Sequence, residues 1–151
     1  MPKFNSCKLV KHSPQKMFDL VANVEDYPLF LPMCEALTVT DRKVKGDKTL
    51  ILASMTIGYK LIRETFTTRV FLQQAEKKID VEYVEGPFKH LENHWTFHET
   101  ESDDATKVEF FIDYSFRNPL LSALMGPMFD SIFQRLSGAF EKRADELYGD
   151  S

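Results

Sequence analysis

Cysteine is scarce in this chain. Cys7 and Cys34 are the two among 151 residues, and neither sits in a Cys-x-x-Cys or Cys/His spacing. That excludes a disulfide scaffold and a zinc module readable from sequence. Both read as free thiols in a reducing compartment. No apolar run approaches the roughly 20 residues of a membrane-spanning helix. Met1-Pro2-Lys3-Phe4-Asn5 has neither the apolar stretch of a secretory signal nor the arginines of a transit peptide. The expected location is therefore the cytoplasm, with peripheral contact at the inner membrane left open. A basic excess is also missing: 19 Lys and Arg stand against 23 Asp and Glu, for a net charge of −4. This argues against a DNA-binding protein but leaves room for docking on one ribonucleoprotein surface. Gly-x-Ser-x-Gly, His-Glu-x-x-His, a phosphate-binding glycine loop and a dinucleotide fingerprint are all absent, so no enzyme activity and no cofactor are expected.

Aromatic residues are what the chain has in excess: 13 Phe, five Tyr and one Trp. So many rings imply a large core, a lined cavity, or both. The length suits one domain, 1–151, with no repeat or linker. Ser13-Pro14 reads as an N-cap and first-turn proline, followed by Met17, Phe18, Val21 and Ala22 at helical spacing. Asp26-Tyr27-Pro28 opens a second short helix that Pro32 should end.

From Glu35 to Phe116 the period becomes two. Ile62, Phe66 and Val70 share one parity; Ile79, Val81 and Tyr83 alternate with acids. Leu91, Asn93, Trp95 and Phe97 alternate with polar residues, as do Val108, Phe110, Ile112, Tyr114 and Phe116. These are antiparallel strands with one buried face. The nearly unbroken apolar run Thr49 to Ile57 suits a strand covered on both faces. Turns are expected at Lys45-Gly46-Asp47, Gly58, Gln73 to Lys77, Gly86-Pro87 and Glu101 to Thr106. With a strand over Phe4 to Val10 the count is seven. A helix over Leu120 to Tyr148 follows, capped at Asn118-Pro119, kinked or restarted at Gly126-Pro127 and stopped at Gly149. Such a helix and a sheet with one apolar face must close on each other. The fold class is therefore α+β: a curved seven-stranded antiparallel sheet gripping a long C-terminal helix, with two short helices after the first strand.

That order is similar to the START-like helix-grip superfamily. Val24-Glu25-Asp26-Tyr27-Pro28-Leu29-Phe30-Leu31-Pro32-Met33-Cys34 resembles the signature of the coenzyme-Q-binding START-domain family, which the bacterial ribosome-association toxins share. Phe66-Thr67-Thr68-Arg69-Val70, Gly86-Pro87-Phe88-Lys89-His90-Leu91, Trp95-Thr96-Phe97 and Ala139-Phe140-Glu141-Lys142-Arg143-Ala144 extend the resemblance over nearly the whole chain. Met33 departs from it, standing where the family often has Trp. The resemblance implies a hydrophobic tunnel able to hold an isoprenoid quinone or another lipid. It also implies either a quinone role in respiration or a block on ribosomal subunit joining. Without a presequence the chain looks bacterial rather than mitochondrial.

The candidate cavity wall comprises Phe66, Val70, Phe88, Leu91, Asn93, Trp95, Phe97, Phe110, Ile112 and Tyr114 from the sheet, with Met125, Phe129 and Phe133 from the helix. Asn93 and Tyr114 are the polar members and the candidates for a quinone carbonyl. Tyr27, Pro28, Phe30, Leu31 and Pro32 form a candidate lip, able to touch a membrane transiently or to meet a partner. His90, His94 and His98 would stack on a helix. On a strand they lie roughly 13 Å apart at each step of four, too far to share a metal, so no metal site is expected. Arg42, Lys43, Lys45 and Lys48 form the densest basic cluster, on a hairpin. The function expected is a quinone chaperone that binds ubiquinone or another isoprenoid lipid. The alternatives are a toxin that binds the large ribosomal subunit, and a cyclase-like enzyme.

Overall fold

The computed structural model describes residues 3–59, 61–126 and 129–149, and for 125, 129 and 130 the backbone alone. The elements are β1 (Lys3–Val10), α1 (Pro14–Ala22), a 3-10 turn (Val24–Asp26), α2 (Tyr27–Phe30), β2 (Cys34–Lys45), β3 (Lys48–Tyr59), β4 (Ile62–Gln73), β5 (Lys78–Glu85), β6 (Phe88–Glu99), β7 (Thr106–Phe116), α3 (Pro119–Met125) and α4 (Phe129–Tyr148). The seven strands form one curved antiparallel sheet in the order β1-β7-β6-β5-β4-β3-β2. Each strand pairs with its sequence neighbour except β1, which joins the far edge beside β7. The segment holding α1 and α2 therefore crosses from one edge of the sheet to the other. No helix among the described residues is long and apolar enough to cross a membrane.

The helices begin where their caps dictate. Ser13 Oγ accepts from the Lys16 amide at 3.2 Å, with Pro14 in the first turn. Asn118 Oδ1 accepts from the Leu120 amide at 2.8 Å ahead of Pro119. The C-terminal helix is two helices, with Gly126 capping α3; the proposed kink at Pro127 lies outside the described residues. At α1, Met17, Phe18, Leu20 and Val21 are buried against Val10, Phe97 and Val108. This half of the molecule is solid. It is closed by a clamp that the sequence did not announce: His12 Nε2 lies 2.7 Å from Asp145 Oδ1, Thr106 Oγ1 donates to the His12 carbonyl, and the Tyr148 hydroxyl donates to the Lys16 carbonyl. The last turns of α4 are thereby fixed to the β1–α1 corner.

Two sequence expectations need correction. Gly58 is not a turn. It lies inside β3, donates its N–H to the Met33 carbonyl at 2.8 Å, and leaves room for Glu35 to cross over it. The turn falls after Tyr59. Nor is β3 covered on both faces. Ile51 and Ala53 are buried inward, whereas Leu50 and Leu52 are half-buried on the outer face, where no helix packs. Only the alternation within the run separates the two faces, and an all-apolar run conceals it.

Gly86 should be the least replaceable glycine. Its φ of 144° disfavours a side chain, and an added Cβ would sit 2.5 Å from Phe66 Cβ and 2.9 Å from Phe66 Cα. Gly86→Ala is expected to cost about 2 kcal/mol or more, lowering Tm by ~4–8 °C. Gly58→Ala should cost less, because the atom it meets is the end of the flexible Glu35 side chain. Thermal melts of the two variants check this order.

Candidate functional site

The inner face of the sheet alternates as its strands require, and α4 closes over it with Ile132, Phe133, Leu136, Ser137 and Phe140 on one side of the helix. The two surfaces pack together at the α1 end, and at the other they touch through Ile132 and Phe133 beside Phe88 and Tyr114. Between them lies an apolar cavity of about 210 Å³. An apolar cavity of ~150 Å³ can hold a benzene molecule. This one therefore has room for a substituted ring or a short piece of branched chain, and a longer ligand must continue outward. Its outer reach is formed by Met33, Tyr59, Ile62 and Glu64, all half-buried, where β2 begins and β3 turns into β4.

Most of the wall residues chosen from sequence are brought together. Phe66, Val70, Phe88, Leu91, Asn93, Trp95, Phe110, Ile112, Tyr114 and Phe133 all line the cavity. Phe88 and Leu91 both point inward despite opposite parity, because the pairing of β6 with β7 shifts register between Phe88 and His90. Phe97 does not line the cavity. It is two residues beyond Trp95, in the solid half, with its ring edge-on to Phe18 at 6.0 Å. The side chains of Met125 and Phe129 lie outside the described residues.

Of the lip, Tyr27, Leu31 and Pro32 reach the cavity, while Pro28 and Phe30 do not. The Phe30 ring packs on Phe140 at 5.3 Å and beneath the Arg143 guanidinium. Sequence reasoning missed Glu64 and Thr68, which share the inward parity of Phe66 and Val70 and were legible on that ground. It also missed Met55, Ile57 and Ser137.

Polar groups on the wall are few and mostly engaged. Asn93 Nδ2 donates to the Phe111 carbonyl at 2.9 Å, which fixes the amide and leaves Oδ1 as its acceptor. Burial pushes the Tyr114 phenol up to about 12, so it stays a neutral hydrogen-bonding group. Burial, and then the neighbouring Cys34, raise the Tyr27 phenol, which donates to the Val21 carbonyl. Burial raises Cys34 to about 11. At neutral pH these three are protonated, so none is an anionic nucleophile. Glu64 is the carboxylate on the wall, near its outer reach.

The matching family model, described as polyketide cyclase / dehydrase and lipid transport, covers residues 10–141. The ribosome association toxin RatA of Escherichia coli K12 is 34% identical over 148 residues, covering 98% of this chain and 90% of that protein. The mitochondrial coenzyme Q-binding protein COQ10 of Dictyostelium discoideum is 30% identical over 145 residues, covering 95% of this chain and 69% of that protein. An 18 kDa protein of Caulobacter crescentus, solved in solution, superposes with a TM-score of 0.82 at 34% identity, covering 99% of this chain and all of that one.

The histidines of β6 face away from the cavity. His94 bridges Asp80 at 2.7 Å and Glu92 at 2.6 Å, His98 meets Glu109 at 2.8 Å, and His90 lies 3.4 Å from Asp113. Among the described residues no three His, Cys, Asp or Glu side chains are placed to hold a metal ion. Partial burial pulls the His94 pKa down, but hydrogen bonds and charge from Glu92 and Asp80 outweigh it and hold the imidazole above the usual histidine value. The resulting stabilisation is present below the unfolded value of about 6.5 and fades as pH rises through the higher folded one. His94→Gln should therefore lower the urea midpoint more at pH 5.5 than at pH 8. An equal loss at both would rule out the charge contribution.

Proposed function

The chain belongs to the polyketide cyclase / dehydrase and lipid transport family, and from that premise we propose that it carries a hydrophobic small molecule, a ubiquinone or related isoprenoid lipid. The observation behind this reading is the apolar cavity of about 210 Å³. Apolar ligand surface moved there from water contributes about 25 cal/mol per Å². A ring held among Trp95, Phe110 and Phe133 thus needs little else for affinity, while Asn93 and Tyr114 read its polar edge. The work is burial and release, without a chemical step. A ubiquinone would place its head in the cavity and run its chain outward past Met33 and Ile62.

The test is organic extraction and mass spectrometry of protein purified gently from a quinone-making host. Close to one isoprenoid per chain is expected. Val81→Phe and Leu91→Trp narrow the cavity without adding charge, and each should reduce retained ligand about tenfold or more while the fold persists. Full ligand content in both narrowed variants would overturn the assignment of the site.

A second reading is association with the large ribosomal subunit, favoured by a relative named a ribosome association toxin and by one feature of the outer face. Alternation along β2 splits the basic cluster read from sequence, and a register shift between Val39 and Asp41 puts Lys43 and Lys45 on the outer face with Lys48. Arg42 turns to Glu25 at 2.8 Å, whereas Lys43, Lys45 and Lys48 border a shallow groove floored by Leu50 and Phe71. Lysines beside a half-buried ring suit phosphate and the edge of a stacked base. If this reading holds, the triple change of Lys43, Lys45 and Lys48 to Glu removes the chain from ribosomal fractions in gradient sedimentation, and Val81→Phe does not. Unchanged sedimentation of the triple variant would remove the groove from consideration.

A further inference from the structure

Among the described residues, Leu9, Leu29, Val44, Leu61, Val84, Leu120, Leu124 and Leu147 are the large apolar side chains left exposed. Their placement is not random. Leu29 is on α2, just ahead of the start of β2; Leu61 is in the β3–β4 turn; Val84 precedes the β5–β6 turn; Leu120 and Leu124 are on α3, just after the end of β7. In an antiparallel sheet of this order those positions all fall at one end. It is the end that Met33, Tyr59 and Ile62 give to the cavity. Leu9, Val44 and Leu147 fall at the other.

We propose that this apolar rim is a membrane-docking surface, seated in the interface of a lipid bilayer with the cavity mouth facing the acyl chains. The proposal deepens the carrier reading and rests on it. An isoprenoid ligand lives in a bilayer, and a rim buried there lets it reach Ile62 and Met33 without crossing water.

Local packing sets the rim's geometry. Leu121 packs inward against the Phe88, Tyr114 and Phe116 cluster, so its neighbour Leu120 and the residue one turn on, Leu124, are directed out. Leu61 is wholly exposed and Leu29 is 70% exposed, each at the tip of its segment. Exposed apolar side chains gathered in one patch mark an interaction site, whereas single ones do not.

The occupant is a lipid surface and not a second copy of the chain, because a copy seated on the rim would close the route by which ligand enters. Charge at this end is mixed. Lys89 and Arg117 are exposed, but Glu85 is exposed there too and Glu64 lies at the outer reach of the cavity. Insertion of side chains, and not attraction to anionic headgroups, should therefore carry the binding.

The experiment is co-sedimentation of the full chain with phosphatidylethanolamine–phosphatidylglycerol vesicles and with phosphatidylcholine vesicles, at low and high salt. The chain should bind both and keep binding at high salt. Leu61→Asp and the paired change Leu120→Asp with Leu124→Asp should each weaken partitioning about tenfold or more. Leu9→Asp and Val44→Asp, at sites of 64% and 69% exposure on the opposite end, should not. In a further variant, Leu61→Trp, indole emission should shift to the blue on adding vesicles and be quenched by brominated acyl chains; the native Trp95 is buried and gives the baseline.

Rim and control variants that lose binding equally, a wild type that fails to bind, binding to anionic vesicles alone that salt abolishes, or rim variants whose only change is loss of a dimer would each overturn the proposal. Ligand extraction is run alongside. Rim variants that keep their lipid but miss the vesicles support both readings. Variants that keep lipid and bind like wild type sink the rim and leave the carrier. A wild type that binds through the rim but carries no lipid sinks the carrier and leaves the rim.

Discussion

Phe140 holds the two halves of this protein in register. Its ring meets Trp95 of β6 at 4.9 Å and the rings of Tyr27 and Phe30 at 5.4 and 5.3 Å. On one side of that contact the side chains of α1, β1 and the ends of β6 and β7 pack into one buried cluster. On the other side α4 still meets the sheet through Ile132 and Phe133, which pack beside Phe88 and Tyr114, and the cavity lies between these contacts. The contact also fixes the lip, since α2 has four residues and no independent means of staying folded. A change at Phe140 would thus reach the packed core, the lip and the cavity together. The clamp at the far end of α4, where His12 meets Asp145 and Tyr148 reaches Lys16, holds the helix at the angle that this contact needs.

Much of this was legible in the chain. Period-two alternation placed β4 to β7, a nearly unbroken apolar run placed β3, and the caps at Ser13 and Asn118 placed two helix starts. The wall from Phe66 to Tyr114 followed from parity, because an antiparallel strand with one buried face sorts its side chains with no help from distant contacts. The misses have more than one cause. Parity holds only until the pairing slips. Alternation alone puts Arg42 and Lys43 on opposite faces; the shift beyond Val39 decides which one faces out and brings Lys43 and Lys45 to the face of Lys48. The shift after Phe88 likewise joins Phe88 to Leu91. Gly58 looked like punctuation but serves close approach, which depends on Glu35 from another strand. Phe97 was assigned the right face and the wrong half, because alternation reports which face a residue takes and not how deep it lies.

Of the relatives, one is named for coenzyme Q and another for ribosome association. On the two readings proposed above, such roles would use different surfaces of this fold. The inner face and α4 form the hollow; the outer face, which no helix covers, presents Lys43, Lys45 and Lys48 around Phe71. Residues on opposite faces of a strand can change with little mutual effect when they share no partners. One scaffold can therefore gain or lose either property separately, and overall likeness is a poor guide to which one a given member uses.

The hollow carries a thermodynamic consequence of its own. At roughly 24 cal/mol per Å³ of void, an empty cavity of about 210 Å³ forgoes on the order of 5 kcal/mol of packing. That is comparable with the whole stability of a typical domain, about 5–15 kcal/mol. The chain already has the bulky side chains to fill such a space, since most of its aromatic rings lie along these walls. It instead directs five large apolar side chains outward at the cavity end, where they cannot relieve the void. A sequence selected for stability alone would have turned some of them in. On the proposed carrier reading the void and the exposed rim form one device: a ligand would meet the deficit inside, and a bilayer would cover the surface outside only while that ligand is exchanged.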